Sequence, residues 1–521
     1  MTVATPAETM AADAQAAAAE RTLPQSDKLP YALYRSAQVR ELDRIAIEEC
    51  GIPARELMER AGRAAYSRLR QSWPSAGRIL IVCGPGNNAG DGFVVARLAR
   101  RDGFSVRVVQ LGQVGRMPPT ALAAGTAYLD GGGELLHFDG SLPRDVDVIV
   151  DALLGIGLER EVTGDWAQCI TAMNQHFAPI LALDIPSGLH ADSGVIMGTA
   201  VQAAQTVSFI ALKQGMFTGD GPDCCGEIHF ASLEVPARIY AREILAARRL
   251  DWPKFERFLG RRRRSAHKGQ FGHCLLIGGD LGYQGAIRLA GEAALRTGAG
   301  LVTLATRDAH AGLIAAARPE LMCVGVDDPA RLDPLLARAS VVAIGPGLGL
   351  TRWAQALLRK AFDAGRPIVA DADALNLLAA RPEQRSDWVL TPHPGEAARM
   401  LRCDIAAIQR NRFAAARRLQ ERFGGVCVLK GAGSIVQGAP DRPVGVCSDG
   451  NPGMATGGVG DLLTGVIAAL IAQGLDPGDA AEAGVALHAA SGDRAAAIGG
   501  ERGLIASDLL PWLRRLTNPR E

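Results

Sequence analysis

The sequence predicts an α/β protein with two domains. At 521 residues, the chain is longer than the roughly 250–300 residues at which one hydrophobic core stops growing. In both halves, short apolar runs typical of buried parallel strands alternate with stretches whose apolar residues recur at helical spacing. Glycine-rich or acidic loops follow many of these runs. Polar groups are therefore expected at the carboxyl ends of the strands, where open α/β sheets bind ligands.

The composition favours work on small molecules. The net charge is +1 and aromatic residues make up 5% of the chain, which argues against a nucleic-acid partner. The 10 cysteines include no CxxC pair and the 9 histidines no HExxH pair, so neither a disulfide framework nor a zinc site is expected, and a reducing cytoplasm fits. No apolar run reaches roughly 18 residues, so we expect no membrane span.

The N-terminal stretch is predicted to be a tail followed by two helices. Residues 1–30 are rich in alanine and lack the basic start and apolar core of a secretory signal, which predicts a disordered tail. From Ser36 to Leu69 apolar residues recur at helical spacing, with Gly51-Ile52-Pro53 as a break. We expect these two helices to cover a sheet.

The sheet is predicted to begin at Arg78–Cys83, a short apolar run. The glycine-rich turn at residues 84–92 follows it, and Phe93 opens a helical stretch. Strand, glycine-rich turn and helix form the phosphate-binding first unit of a doubly wound fold. The turn is neither GxGxxG nor a Walker A loop, so an ordinary nicotinamide dehydrogenase is disfavoured.

Two later runs, at residues 147–151 and 179–184, each end in an acid. Because strand ends meet at one edge of a parallel sheet, Asn88, Asp151 and Ser187 are expected to converge there. Their oxygens suit an alkali or alkaline-earth cation. Asp184 is then left free to act as a base. The alternative for either acid taken singly is a cap on the next helix.

These motifs resemble the YjeF N-terminal family of NAD(P)H-hydrate epimerases over about residues 31–235. They are CGPGNNAGDG at 83–92, DALLGIG at 151–157 and DIPSG at 184–188. The resemblance implies a Rossmann-like three-layer α/β/α sandwich that interconverts the R and S forms of hydrated NADH and NADPH with a bound potassium ion. It implies K⁺ ligands at Asn88, Asp151 and Ser187. The implied hydrate contacts are Asn87, Asn88, Ala89, Gly90, Asp91, Gly155, Ile156, Gly157, Leu158, Glu159, Arg160, Glu161 and Asp184.

Asp184 is the hypothetical acid/base of this reaction. The carbon that carries the added hydroxyl is bonded to the ring nitrogen, and it can invert by loss and return of water or by ring opening. Either route needs a proton acceptor, which a strand-end carboxylate supplies. Ala89 stands where the family usually has glycine.

Residues 237–264 are predicted to be a linker between a first domain at 31–236 and a second at 265–515. The linker is rich in arginine and helix formers and ends in four consecutive arginines, residues 261–264. In a chain of net charge near zero such a run is usually solvated. The alternatives are a localisation or RNA-binding patch and contact with nucleotide phosphates.

The second half repeats the α/β pattern. Strands are predicted within 267–279, where the flanking glycines mark the ends, and at Leu301–Thr306, Val341–Ile344, 367–370, Trp388–Leu390 and Val426–Leu429. The helical stretches between them predict a mostly parallel sheet. The loops at 345–349, 371–376, 391–396 and 430–434 should then share one rim.

A glycine-rich stretch at residues 451–461 is expected beside that rim. Its glycines allow the backbone to approach a ligand closely. The apolar run that follows predicts a helix whose exposed N–H groups attract anions. Asp461 would lie next to phosphate oxygens, where a carboxylate can take a proton from a hydroxyl. The stretch therefore predicts phosphoryl transfer to an alcohol. The alternative is a glycine-rich turn in which Asp461 caps the helix.

The second half resembles the YjeF C-terminal family, ADP-dependent NAD(P)H-hydrate dehydratases of the ribokinase-like superfamily, over about residues 255–515. The motifs are GGDLGYQGA, GPGLG, DADALN, TPHPGE, KGAGS and NPGMATGGVGD. The resemblance implies hydrate contacts at Ala286, Gly347, His393 and Asp461. It implies nucleotide contacts at Lys430, Gly431, Ala432, Gly433, Ser434 and Gly460. Ser434 replaces the usual threonine, and Val459 stands where threonine is common.

Together the halves predict a bifunctional repair enzyme, an isomerase joined to a lyase, that forms a homo-oligomer. Asp461 is expected to deprotonate the hydroxyl, which attacks the terminal phosphate of ADP with Mg²⁺ bound. The products would be NADH or NADPH, AMP and phosphate. A sugar or vitamin-precursor kinase is the leading alternative, although it leaves the first domain unexplained. A non-enzymatic nucleotide sensor is disfavoured by the strand-end acids.

Overall fold

The computed structural model describes residues 29–518 apart from residues 114 and 116. The predicted tail at 1–30 lies almost wholly outside these residues. The described chain divides into two compact units between Arg248 and Arg249. Among the described residues, no helix is long and apolar enough to span a membrane.

The first unit contains a seven-stranded, fully parallel sheet. The strands, in spatial order, are Leu135–His137, Ser105–Gln110, Arg78–Cys83, Val148–Ala152, Ile180–Leu183, Gln205–Phe209 and Glu227–Ala231. The chain starts in the middle, moves to one side, and then continues on the other. The order therefore reverses between Arg78–Cys83 and Val148–Ala152, which is the position where doubly wound sheets bind ligands.

Helices cover both faces of this sheet. The alternation along Arg78–Cys83 shows the layering, because Ile79 and Ile81 belong to one hydrophobic cluster whereas Leu80 and Val82 belong to another. The predicted three-layer α/β/α sandwich is confirmed. Its helices are Ser36–Arg44, Ile45–Glu49 in π form, Ala54–Ser72, Asn87–Arg101, Pro119–Asp130, Gly164–Asn174, the 3-10 turn Gln214–Phe217, Gly221–Cys225 and the 3-10 turn Ala237–Arg242.

One predicted boundary is wrong, because the helix after the first strand begins at Asn87 and not at Phe93. Gly86 is its extended N-cap residue. The glycine-rich turn is therefore short, and most of its polar residues lie in the first turn of the helix, where exposed N–H groups point toward the ligand side.

The first unit also contains short strands outside the seven-stranded sheet. Ala32–Tyr34 pairs in parallel with Leu212–Lys213 and in antiparallel fashion with Ala247–Leu250. The segment predicted as a linker, 237–264, is ordered in the structure. It contains a 3-10 helix, the strand Ala247–Leu250 and the short helix Trp252–Phe255.

The second unit has seven parallel strands and a terminal antiparallel pair. In spatial order the strands are Met322–Gly325, Leu301–Thr306, His273–Ile277, Val341–Ile344, Ile368–Ala370, Trp388–Leu390, Val426–Leu429, Ser434–Gln437 and Val444–Cys447. The predicted mostly parallel sheet is confirmed. The strand order again reverses, here between His273–Ile277 and Val341–Ile344.

The helices of the second unit pack against this sheet. The most apolar of them, Val459–Ala472, is buried along nearly its whole length and packs against Gln284–Thr297. The helices are Trp252–Phe255, Glu256–Phe258, Lys268–Phe271, Gln284–Thr297, Asp308–Ala317, Pro329–Leu332, Asp333–Arg338, Arg352–Asp363, Ala372–Ala380, Pro394–Leu401, Ile405–Arg410, Arg412–Phe423, Pro452–Met454, Val459–Ala472, Pro477–Gly499 and Ala506–Leu516.

Candidate functional sites

A cavity of about 600 Å³ opens at the carboxyl ends of the first unit's strands. Its position at the reversal of strand order is the one that the fold favours for ligands. Most of the predicted hydrate contacts line it. These are Asn87, Asn88, Asp91, Gly155, Ile156, Gly157, Leu158, Glu159, Arg160 and Asp184. Ala89, Gly90 and Glu161 are not among the lining residues.

Asp184 lies at the floor of this cavity in a strained backbone conformation. Its φ angle is 66°, which is uncommon for a residue with a side chain. Hydrogen bonds hold it there, because its N–H donates to Val207 O at 2.8 Å and its Oδ1 accepts from the Phe209 N–H at 3.1 Å. Strained residues of this kind cluster at functional sites.

Lys213 is the ion-pair partner of Asp184, and no sequence motif indicated it. Its Nζ donates to Asp184 Oδ1 and, at 3.0 Å, to Ser208 Oγ. The lysine side chain is 0% exposed and that of Asp184 is 16% exposed. A buried charge needs a partner of opposite charge. Lys213 and Asp184 therefore hold each other in place.

Two further carboxyl groups face the Asp184–Lys213 pair. Burial, followed by the nearby charge of Asp184, raises the pKa of Asp43 to about 6, although Lys213 opposes the shift. The same causes, together with Asp43, raise the pKa of Asp91 well above its ordinary value. Asp91 was predicted as a contact, whereas Asp43 was missed because it lies in an ordinary amphipathic helix pattern.

The three residues predicted to hold a cation lie around one loop, residues 153–154. Ser187 Oγ donates to Asp151 Oδ1 at 2.6 Å and accepts from the Leu154 N–H at 2.7 Å. Asn88 Nδ2 donates to Leu154 O at 2.9 Å. Asp151 caps no helix, since it accepts from the Leu153 and Ser187 N–H groups. Burial raises its pKa to about 6, against these hydrogen bonds.

Asn88 leaves one buried acceptor unused at this point. Its Oδ1 has no hydrogen-bond partner among the described residues. Buried polar atoms are nearly always paired, so an unpaired carbonyl oxygen near a carboxylate and a hydroxyl is suited to binding a cation. No cluster of three acid, histidine or cysteine side chains suited to a metal occurs within the described ranges.

In the second unit, Asp461 is the third residue of the helix Val459–Ala472. Gly458, at φ 90°, is the N-cap residue, and no side chain caps this end. The capping alternative for Asp461 is therefore wrong. The carboxyl group lies at the positive end of the helix, among the N–H groups that lack intrahelical partners.

Asp461 is a weak acid because of its surroundings. Burial, followed by the charge of Asp371, raises its pKa to about 7, while Lys430 opposes the shift and Asp373 and Glu396 add to it. Among the described residues Asp461 has no ion-pair partner. A carboxyl group that titrates near neutrality suits general base catalysis.

Lys430 pairs with Asp371 instead. Its Nζ lies 2.7 Å from Asp371 Oδ1, and Thr464 Oγ1 donates to Asp371 Oδ2 at 2.8 Å. Burial lowers the pKa of Lys430, but Asp371 and Glu396 outweigh burial and raise it. The lysine reaches the helix start as well, since a Cβ built on Gly460 would lie 3.4 Å from its Nζ.

A buried arginine, Arg412, holds the loop 430–434 in place. No sequence motif indicated this residue. Arg412 Nη2 donates to Leu429 O at 3.3 Å and to Lys430 O at 3.2 Å. Ser434 Oγ donates to Gly431 O at 3.1 Å, and Gly431 has φ 136°. The predicted nucleotide contacts at 430–434 thus form a rigid turn that connects two antiparallel strands.

The remaining predicted contacts lie at neighbouring loops. Gly347 has φ 58°, and a Cβ there would lie 3.3 Å from that of Ala286, so these two loops meet. His393 caps the helix Pro394–Leu401, because its Nδ1 accepts from the Gly395 N–H at 3.0 Å. Burial and Lys430 lower the pKa of His393.

Two family models match separate parts of the chain. Residues 274–513 match the family model for NAD(P)H-hydrate dehydratase, and residues 54–215 match the model for the YjeF-related protein N-terminus. A relative from Coxiella burnetii, named bifunctional NAD(P)H-hydrate repair enzyme Nnr, is 49% identical over 487 residues, which cover 94% of this chain and 99% of the relative. The Escherichia coli protein of that name is 44% identical over 491 residues, covering 94% and 95%.

Comparison with solved structures gives matches to part of the chain. The ADP/ATP-dependent NAD(P)H-hydrate dehydratase from Bacillus subtilis, co-crystallized with ATP and Mg²⁺, is 30% identical, has a TM-score of 0.46, and covers 51% of this chain and 97% of its own.

Two α/β units, each with carboxylates gathered at the carboxyl ends of parallel strands, define a two-part enzyme of small-molecule metabolism. The chain belongs to the family of bifunctional NAD(P)H-hydrate repair enzymes, which joins an epimerase domain to a dehydratase domain. Both resemblances drawn from the sequence are confirmed. A kinase would leave the first unit unexplained, whereas in this family the first unit is the epimerase domain. The kinase alternative is therefore set aside.

Proposed function

We propose that the two activities are divided as the sequence predicted, with epimerisation at residues 31–236, dehydration at 265–515 and a connection at 237–264. The observation that carries this proposal is that each unit has a carboxylate site of its own. In the first unit Asp184 pairs with the buried Lys213 and lines the cavity. In the second unit Asp461 lies in the first turn of a helix, without an ion-pair partner among the described residues and with its pKa raised to about 7. Such a group can remove a proton from a hydroxyl at neutral pH and then hold it.

Asp184 is the proposed acid/base of epimerisation. Its carboxylate is held in one position by Lys213 and the Phe209 N–H, at the floor of a cavity large enough for a nicotinamide ring. Asp43 and Asp91 have raised pKa values and can hold protons beside it. A site that must both remove and return a proton benefits from carboxyl groups in both protonation states.

Potassium is proposed to bind at Asn88, Asp151 and Ser187. The support is the unpaired, buried Asn88 Oδ1 beside two other oxygen donors. A bound K⁺ would supply fixed positive charge for oxygen atoms of the hydrate near the loop 153–154. Replacing K⁺ by choline in the buffer should slow epimerisation of the wild type. An Asn88→Leu variant should be slow and insensitive to this exchange, and a K⁺ response of normal size in the variant would refute the assignment.

The dehydratase reaction begins with Asp461 taking the proton of the hydrate's hydroxyl. The oxygen attacks the terminal phosphorus of ADP, and the bond to AMP breaks. The resulting phosphate ester is a better leaving group than hydroxide, so the lone pair of the ring nitrogen expels phosphate. Loss of a proton from the neighbouring ring carbon then restores the double bond. The chain's contribution is to place the base and to stabilise the charge that develops on phosphate.

Lys430, Gly460 and the turn 430–434 are proposed to hold the nucleotide. Lys430 lies between Asp371 and the start of the Asp461 helix, where a cation can face phosphate oxygens. Ala286, Gly347 and His393 are proposed to hold the hydrate. Mg²⁺ usually binds through phosphate oxygens and one or two carboxylates, a requirement that the acids at 371 and 373 meet. It would neutralise phosphate charge when bound.

The test is the recovery of absorbance at 340 nm after the protein is added to mixed R and S NADH hydrate. We expect full recovery with ADP, and none without a nucleotide. Recovery that stops at the S fraction would remove the epimerase from the proposal. No recovery with either ADP or ATP would refute the dehydratase, and recovery with ATP alone would refute ADP as the donor.

Location and assembly are further proposals. All ten cysteines are free, which is consistent with a reducing compartment such as the cytoplasm. A homo-oligomer stays a prediction, and light scattering of the purified chain would test it.

A further inference from the structure

The dehydratase unit contains a cavity that takes no part in the proposed chemistry. Its volume is about 620 Å³, and it is lined by the ends of four helices and by part of the four-arginine run. The lining residues that matter here are Arg261, Arg262, Arg296, Arg318, Arg514 and Thr297.

This arginine cavity is separate from the catalytic rim. Thr297 ends the helix on which Ala286 lies, and Gln473 follows the helix on which Asp461 lies. At about 1.5 Å per residue, these helices place the cavity roughly 16–18 Å from the catalytic loops. A ligand here would not compete directly for the nucleotide turn.

The side chains that line the cavity carry a net positive charge. Five arginines line it but only two acids, Glu292 and Glu320, which leaves a formal excess of three positive charges. Glu292 already pairs with Arg318, whose Nη2 donates to Glu292 Oε2 at 2.9 Å. Arg262 donates to Gly298 O and Gln473 Oε1. Across the described chain, the side chains of Arg296 and Arg514 make no ion pair or hydrogen bond.

Buried donors in the wall also lack partners. Thr297 is 1% exposed, yet its Oγ1 has no hydrogen-bond partner in the described structure. The Nε atom of Arg318 is also buried and without a partner there, although the rest of that side chain is partly exposed. Native proteins rarely leave such groups unpaired, so they indicate a missing acceptor. A ligand with several anionic oxygens would satisfy both donors and the free guanidinium groups.

We propose that this cavity binds a small organic polyphosphate of nucleoside-diphosphate size. Arginine forks match phosphate oxygens in geometry and charge. The volume lies within the range of small-molecule sites and exceeds what inorganic phosphate needs. Leu259 and Leu295 supply an apolar wall for the organic part. The four-arginine run thus contributes to a binding site through its first two residues.

The test uses pyrophosphate as the probe and hydrogen–deuterium exchange of the full chain as the readout, because exchange reports where binding occurs. We expect protection of residues 292–298 and 514–518 as pyrophosphate is added. In an Arg296→Gln/Arg514→Gln variant, the concentration for half-maximal protection should rise by about tenfold, the effect of losing a charge-assisted hydrogen bond.

A matched control changes net charge equally. Arg417 and Arg418 are exposed on the helix Arg412–Phe423, away from the cavity, and an Arg417→Gln/Arg418→Gln variant should behave as wild type. The proposal is overturned if pyrophosphate protects only the catalytic loops, if the cavity variant keeps its affinity, or if the control loses as much as the cavity variant.

Discussion

The two proposed catalytic aspartates differ in how the neighbouring lysine is paired. In the epimerase unit Lys213 pairs with the catalytic carboxylate itself, and Asp43 and Asp91, with raised pKa values, stand beside the pair. In the dehydratase unit Lys430 pairs with Asp371, and Asp461 is left with a pKa of about 7.

The difference follows the chemistry of each reaction. Epimerisation runs in both directions and needs groups that give and accept protons, so several carboxyl groups share one lysine. Phosphoryl transfer needs one base that takes a proton once, together with cations that face phosphate. The lysine is therefore held beside the base, at Asp371, where it can also meet the nucleotide.

The largest expected effect is that of Asp461→Asn. An amide cannot accept the hydroxyl proton, so dehydration with ADP should slow by about 10²–10⁴, the usual cost of losing a general base. Epimerisation should be unchanged, because Asp461 belongs to the other unit. The matched control is Asp441→Asn, at an exposed aspartate. An Asp461→Asn protein that dehydrates at the normal rate would refute the mechanism.

Replacing the lysine of the first unit should produce the next largest effect. Lys213→Met leaves the Asp184 carboxylate without its cation, so epimerisation should slow by about 100-fold, the lower end of general acid–base effects. Dehydration of the pure S hydrate should stay normal, which shows that the chain has folded. Lys360→Met, at a surface ion pair with Asp333, is the control. Normal epimerisation in Lys213→Met would mean that the pair is only structural.

The corresponding change in the second unit should move a pH profile. Lys430 lowers the pKa of Asp461, so Lys430→Met should raise it further above its value of about 7. Asp461 must be charged to act, and the acid limb of kcat/KM for dehydration should therefore move toward alkaline pH, by about one unit. An unshifted limb, whatever the loss in rate, would show that Lys430 does not act on Asp461.

The smallest expected effect concerns the nucleotide turn. Ser434→Ala removes one hydrogen bond to Gly431 O, so the KM for ADP should rise by about fivefold, the worth of roughly 1 kcal/mol. Ser434→Thr keeps the hydroxyl and should restore the wild-type KM. If alanine and threonine behave alike, the hydroxyl does not support the turn.

Much of the fold could be predicted from the sequence because parallel strands buried on both faces form continuous apolar runs. The runs at Arg78–Cys83 and Val426–Leu429 have the predicted bounds. Strands of mixed polarity were missed, such as Ser434–Gln437, whose pairing with Val426–Leu429 depends on a turn. The helix that begins at Asn87 was predicted to begin at Phe93, because its first turn lies within a glycine-rich motif.

The candidate sites were predictable only where a motif carries them. Asp184 and Asp461 follow recognisable loops, but Lys213 and Arg412 reach their partners from distant segments with ordinary local patterns. Local spacing also could not show that Lys430 pairs with Asp371, since 59 residues separate them. Such pairings are set by tertiary packing.

If two independent sites act in sequence, two variants that each lack one site should complement each other when they are mixed. With mixed R and S NADH hydrate and ADP, Asp184→Asn alone should recover absorbance at 340 nm only to the S fraction, and Asp461→Asn alone should recover none. An equimolar mixture of the two proteins should recover all of it, because each supplies the site that the other lacks. A mixture that stops at the S fraction would show that the two sites do not act independently.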